Sequence, residues 1–210
     1  MYREWPQPVE EILLVGHSMG GLVIRAACHH GAPDPWISSV RHVVYLGSRH
    51  GGAPLARGVR MLASTAEHSR ETRPHGRVLD HSQGVRDLRF GYLTDDDRSV
   101  CDSGTCRKDH GSSVPLIATA NHCVVAATVT ADPRHPTGQL AGDLLVQPAS
   151  AHGQHRSRTS IPFAAGNRQL HGPMTHFGLL NRLAVYNALR DRLATRPGQW
   201  STSCSNPPVK

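Results

Sequence analysis

The sequence predicts an α/β fold, a mostly parallel sheet flanked by helices, and three neighbouring segments carry that expectation. Glu11-Ile12-Leu13-Leu14-Val15 is short and apolar without alternation, the pattern of a strand buried on both faces. A helical pattern opens directly after Gly16, with Leu22, Val23, Ala26 and Ala27 as its apolar face, until Gly31 and Pro33 stop it. Residues 40–46, Val-Arg-His-Val-Val-Tyr-Leu, then read as a second strand. Strand, helix, strand is the βαβ unit, which crosses over right-handed in a parallel sheet.

The second strand runs into the turn Gly47-Ser48-Arg49-His50-Gly51-Gly52. Residues 53–120 have a different character. Residues 55–68 suit a helix, but the remainder is polar and broken by Pro74, Gly76, Gly84 and Gly104. This stretch reads as a lid-like insertion above the sheet, with order declining over residues 98–113. A third strand is expected at residues 122–129, and a weak one near residues 160–163. Leu179, Leu183, Tyr186, Leu189 and Leu193 recur at helical spacing and predict a closing helix. The expected organisation is one domain over residues 1–195, containing the 53–120 insertion, and a disordered tail at 196–210.

A chain of 210 residues is long enough to bury a core as one domain. Its formal charge of +7 invites a nucleic-acid reading. The basic residues are nearly all Arg, scattered singly, with no basic helix face and no aromatic platform, so no nucleic-acid partner is expected. Five cysteines in irregular places do not make a disulfide framework. Cys28 and Cys123 lie in apolar stretches and read as small buried hydrophobes. Cys101, Cys106 and His110 have an unusual spacing for a metal, and Asp95-Asp96-Asp97 point in different directions in either helix or strand. Both read as solvated loop, and no metal or cofactor enters the expectation. No window reaches the ~20 apolar residues of a membrane span, and the N-terminus is not a signal peptide, which makes the cytoplasm the default compartment.

Chemistry concentrates in Gly16-His17-Ser18-Met19-Gly20. Gly-x-Ser-x-Gly alone is loose, but here it joins an apolar strand to an amphipathic helix. A sharp turn at that junction lifts the Ser18 hydroxyl above the sheet edge, and its tight backbone asks for small neighbours, hence Gly16 and Gly20. The helix N-terminus then faces a reacting carbonyl, and the Met19 amide can donate to an oxyanion. A phosphate-binding loop is the rival reading, but Gly-Lys-Ser/Thr is missing. A serine hydroxyl needs a histidine base, itself oriented by a carboxylate. In strand-turn-helix hydrolases the acid and then the histidine follow the serine. That order leaves Asp132 or Asp143 as the acid, and His171 or His176 as the base.

With these segments in view, the sequence resembles the lipase and GPI-inositol-deacylase-like branch of the α/β-hydrolases. The resemblance rests on Leu14-Val15-Gly16-His17-Ser18-Met19-Gly20-Gly21-Leu22-Val23, on Tyr45-Leu46-Gly47-Ser48, and on Gly51-Gly52-Ala53-Pro54-Leu55. It extends through Asp87-Leu88-Arg89-Phe90-Gly91-Tyr92-Leu93 and Gly142-Asp143-Leu144-Leu145-Val146 to His176-Phe177-Gly178-Leu179-Leu180-Asn181 and Ala184-Val185-Tyr186. It implies Asp143 as the acid, His176 as the base, Ser18 as the nucleophile, and a small-molecule or lipid ester as substrate. Three positions depart from the family: Arg49 and Leu183 stand where proline is usual, and Gly178 where aspartate is common.

A larger departure lies ahead of the elbow. In the family four strands and their helices precede it, and the loop after the third strand gives the second oxyanion-hole amide. Here ten residues precede the first strand. The resemblance therefore implies the C-terminal portion of an α/β-hydrolase, its first strand an exposed apolar edge open to a covering partner. Loss of one oxyanion donor costs on the order of 10²–10³ in rate. Two expectations follow: a serine esterase or lipase working through an acyl-enzyme, or a truncated, non-catalytic or partner-dependent fragment.

Overall fold

A computed structural model describes residues 2–50, 114–154 and 160–194. Within them four parallel strands form one sheet: β1 (Ile12–His17), β2 (Val40–Leu46), β3 (Asn121–Ala127) and β4 (Arg168–His171), in the spatial order β1-β2-β3-β4. Five helices accompany it, α1 (Gly20–His30), α2 (Trp36–Ser39), α3 (Pro136–Ala141), α4 (Pro148–Ala151) and α5 (Leu183–Leu193), with 3-10 turns at Tyr2–Glu4, Ala165–Asn167 and Phe177–Leu180. The expected α/β class, a parallel sheet flanked by helices, is the class observed.

Strand register explains where the core sits. Leu14 pairs with Val43 and Val15 with Val44, so alternate residues of neighbouring strands share a face. Val44, Leu46, Cys123, Val125 and Ala127 pack on one face under Met174, Leu179, Val185 and Leu189. Val43, Tyr45 and Val124 pack on the other, with Phe163, Ile12, Leu14, Ile24, Leu116 and Ile117. Both faces of β2 and β3 are thus covered, which is why those strands read as unbroken apolar runs.

β1 departs from its expectation of burial on both faces. It is the outer strand of the described sheet, and Leu13 and Val15 are 44% and 50% exposed. The described sheet therefore ends on a strand whose outward apolar side chains are partly exposed. Full burial of such a side chain is worth about 1.5–3 kcal/mol, so β1 is held mainly by Ile12, Leu14 and its ladder to β2.

Several boundaries and faces also differ. The inward face of α1 is Gly21, Leu22, Arg25 and Cys28, while Val23 and Ala27 point to solvent. Arg25 faces inward because its stem packs as apolar surface and its Nη2 donates to the Val114 carbonyl at 2.8 Å. The closing helix starts at Leu183, after a 3-10 turn holding Leu179. Leu183 and Tyr186 are exposed, while Leu189 faces the core as expected, beside Val185.

No strand forms at residues 160–163. Pro162 lacks an amide for a ladder, and Ile161 and Phe163 pack into the core as coil. The fourth strand is the polar Arg168–His171, paired with β3 from Val124 to Ala127. Residues 114–120, assigned to the insertion by sequence, lead into β3, with Val114 buried and Leu116 and Ile117 against the core. The expected helix at 55–68, the rest of the insertion to 113, the Asp95–97 and Cys101–His110 readings, and the tail at 196–210 lie outside the described residues.

Candidate functional site

The four strands are parallel, so their C-terminal ends lie along one edge, where α/β sheets offer a crevice. At the end of β1 the chain turns sharply. Ser18 has φ 55°, one of two non-glycine residues with positive φ among those described. This region is costly for a side-chain-bearing residue, on the order of 1–3 kcal/mol, and persists where neighbours enforce it. The Ser18 amide donates to the Leu46 carbonyl at 2.9 Å, locking the turn to the end of β2. Met19 follows as the N-cap of α1, half-exposed, with its amide at the helix N-terminus.

Glycine use around the turn differs from expectation at one position. A Cβ on Gly16 would lie 2.7 Å from the Gly20 carbonyl carbon and from the Gly21 nitrogen, so Gly16 is required. A Cβ on Gly20 would meet nothing within 4 Å. The second constrained glycine is instead Gly21, where a Cβ would fall 2.5 Å from Ser48 Cβ. Ser48, fully buried, donates from Oγ to the Gly16 carbonyl at 3.2 Å, which ties the β2 turn to the β1 turn.

Asp143 and His176 meet at the ends of β3 and β4. Thr128, just past β3, receives the Met174 amide on its carbonyl and donates its own amide to the His171 carbonyl, and Val129 donates to Gly142. One short segment thereby fixes both loops. His176 Nδ1 lies 2.8 Å from Asp143 Oδ2, and the His176 amide donates to the Asp143 carbonyl at 3.0 Å. Asp143 Oδ1 accepts the Leu145 and Val146 amides at 2.9 and 2.7 Å. Both side chains are nearly sealed from solvent.

A neutral imidazole donating from Nδ1 carries its lone pair on Nε2. His176 Nε2 is buried and has no hydrogen-bond partner among the described residues. Such a nitrogen can take a proton from a group brought beside it.

Ser18 and the pair share one corner. Leu46 accepts the Ser18 amide, and at the next residue a Cβ on Gly47 would sit 3.1 Å from His176 Nδ1 and 3.2 Å from Asp143 Oδ2. Gly47 has φ 54°, so both its conformation and its closeness to the pair exclude a side chain. The His17 ring, next to Ser18, lies 4.6 Å from the His176 ring. Ser18 and His176 make no hydrogen bond to one another, so the structure joins two of the three expected residues directly and brings the third to the same edge.

The rivals sit elsewhere. Asp132 Oδ1 accepts the Arg134 amide in a local turn, and its side chain is exposed. His171 is the last residue of β4, with Nε2 3.2 Å from Gln169 Oε1. Sequence reasoning missed the parts played by His17, Gly21, Gly47 and Ser48; among these, the doubled glycine after the motif was the one visible signal. Leu144 was also missed: it has φ 83° and is half-exposed beside Asp143. Burial pushes the Arg49 guanidinium down from its usual range. Among the described residues no group of three or more His, Cys, Asp or Glu is placed to hold a metal, and no helix is long and apolar enough to cross a membrane.

Residues 1–90 match a family model described as a PGAP1-like alpha/beta domain. That span contains the elbow, α1, β2 and the turn after it. The match supports an α/β-hydrolase-like domain and a hydrolase-type fold, in agreement with the parallel sheet and the strand-turn-helix at Ser18. No curated protein matches the chain at a significant level.

Proposed function

We propose that the chain is a serine hydrolase that cleaves carboxylic esters through an acyl-enzyme on Ser18. The observation that carries this reading is the buried Nε2 of His176, without a hydrogen-bond partner among the described residues, its opposite nitrogen held by Asp143, at the edge where Ser18 occupies a positive-φ turn. Ser18 Oγ attacks the ester carbonyl carbon, and its proton passes to His176 Nε2. The tetrahedral oxyanion accepts the Met19 amide at the N-terminus of α1. The carbon–oxygen bond to the alcohol breaks as His176 returns the proton to the leaving oxygen, and water then repeats the sequence to free the acid. Asp143 holds the imidazole tautomer and stabilises the imidazolium.

Half-exposed Met19, Leu144 and Phe177, each adjacent in sequence to one of the three residues, favour an acyl or lipid ester over a polar substrate. A fluorophosphonate probe tests the proposal. Wild type should label and Ser18→Ala should not; failure of wild type to label, or equal labelling of both, overturns it.

A second reading has one observation in its favour. Leu13 and Val15 expose the outer strand of the described sheet, and such an edge invites a covering partner. On this reading the chain hydrolyses esters only when that partner is present. Ester turnover by a monomeric chain, checked by gel filtration with activity across the peak, defeats it.

A further inference from the structure

Between the elbow and the Asp143–His176 pair stands a residue that the mechanism above does not use. His17 is the last residue of β1, and its Nε2 lies 3.2 Å from the His176 carbonyl oxygen. A carbonyl only accepts, so His17 donates from Nε2. Its ring centroid is 4.6 Å from that of His176, tilted by 44°, and the Phe177 ring lies 6.1 Å from His17 and 5.5 Å from His176. Asp143 grips His176 at Nδ1 and at the amide. His17 supplies a separate grip, on the carbonyl and on the ring.

We infer that His17 is a positioning residue, which couples the nucleophile turn to the base by holding the His176 backbone and ring against β1. The inference rests on the proposed hydrolase reading and deepens it. The contact joins residues 159 apart in sequence, and it acts one residue before Ser18, so displacement of the His176 loop and displacement of the elbow become one motion. Positioning of this kind matters because a misplacement of about 1 Å costs on the order of 10²-fold in rate. Burial, and then the neighbouring His176 ring, lower the affinity of His17 for a proton, opposed in smaller measure by its hydrogen bond to the His176 carbonyl and then by Asp143. His17 therefore works as a neutral ring near pH 7.

Three substitutions separate donor from ring. His17→Ala removes both, His17→Phe keeps a ring without the donor, and His17→Gln keeps an N–H donor without the ring. With a chromogenic short-chain ester, His17→Ala should lower kcat by about 10–100-fold with KM unchanged. His17→Gln should recover most of that loss, and His17→Phe should not. The downfield proton resonance of His176 Nδ1, seen by NMR without substrate, should broaden in His17→Ala and sharpen again in His17→Gln.

Wild-type kcat in His17→Ala, a loss confined to KM, or His17→Gln no better than His17→Phe would overturn the inference. If His17→Ala does not fold, the Gln and Phe pair decides it alone. A wild-type protein that neither labels with fluorophosphonate nor turns over ester marks failure of the hydrolase reading itself. Active wild type with an unaffected His17→Ala marks failure of the positioning role alone.

Discussion

Asp143 shows how completely one side chain can be specified. Its two oxygens receive only donors: Leu145 and Val146 amides at Oδ1, and His176 Nδ1 at Oδ2. An asparagine in its place has one oxygen and one NH₂. The oxygen will stay with the two fixed backbone amides, because unpaired buried amides cost about 1–3 kcal/mol each. The NH₂ then faces His176 and forces the tautomer that carries its proton on Nε2, which cannot accept one from Ser18. Asp143→Asn should therefore lower kcat on the order of 10³–10⁴-fold while the melting temperature changes little; near-normal turnover would count against the proposed role of the pair. From chain order alone Asp143 and His176 were reachable only as one of two acids and one of two histidines, and only the family resemblance singled them out. Their choice depends on Thr128 and Val129 bringing two loops together, and no local pattern announces that. Ser18 was legible because its constraint is local: the strand, the turn and the helix are adjacent in the chain.

Local pattern likewise governed which elements could be read. β2 and β3 are covered on both faces, so their apolar runs were unambiguous and β2 falls at residues 40–46 as expected. β4 carries Arg168, Gln169 and His171 and is held by ladder bonds to β3, leaving no hydrophobic signal. Leu22 and Ala26 of α1 and Leu189 of α5 lie on the expected faces, while Val23, Ala27, Leu183 and Tyr186 do not, because a helix of small and apolar residues offers two plausible stripes and Arg25 packs inward. The α1–turn contact gives an element-scale prediction. At Gly21 a Cβ would press on Ser48 and on Tyr45 Cδ1 at 3.0 Å, in a buried setting where nothing can move cheaply. Gly21→Ala should destabilise by about 1–3 kcal/mol, the usual cost of overpacking. Gly20 has open space and no positive φ, so Gly20→Ala should be neutral or stabilising by about 0.4–1 kcal/mol. Denaturant unfolding of the two variants checks both signs, and equal effects would contradict the packing described.

At the scale of the molecule, the parallel sheet gathers its turns at one edge and buries several histidines as it does so. His17, His42, His122, His152 and His171 all have their proton affinity lowered, in each case chiefly by burial. His122 is the clearest. Its Nδ1 accepts the Tyr45 hydroxyl at 3.1 Å and its Nε2–H donates to the Ile117 carbonyl at 3.0 Å, an arrangement that suits the neutral ring. In the unfolded chain these rings return to a pKa of about 6.5. Between that value and their lower folded values, the unfolded state binds more protons, so stability rises with pH. The contribution is complete above about pH 6.5 and is lost as pH falls through the folded pKa values. Each proton taken up also adds to a chain already at +7. Lowering the pH from 7.5 to 5.5 should therefore lower the melting temperature by at least about 2–4 °C, the shift that ~1 kcal/mol produces in a domain of this size. His122→Asn should flatten part of that slope, since an amide can keep one of the two hydrogen bonds without a titrating ring. A melting temperature constant or rising over that range would show that burial of these rings does not control the acid limb of stability.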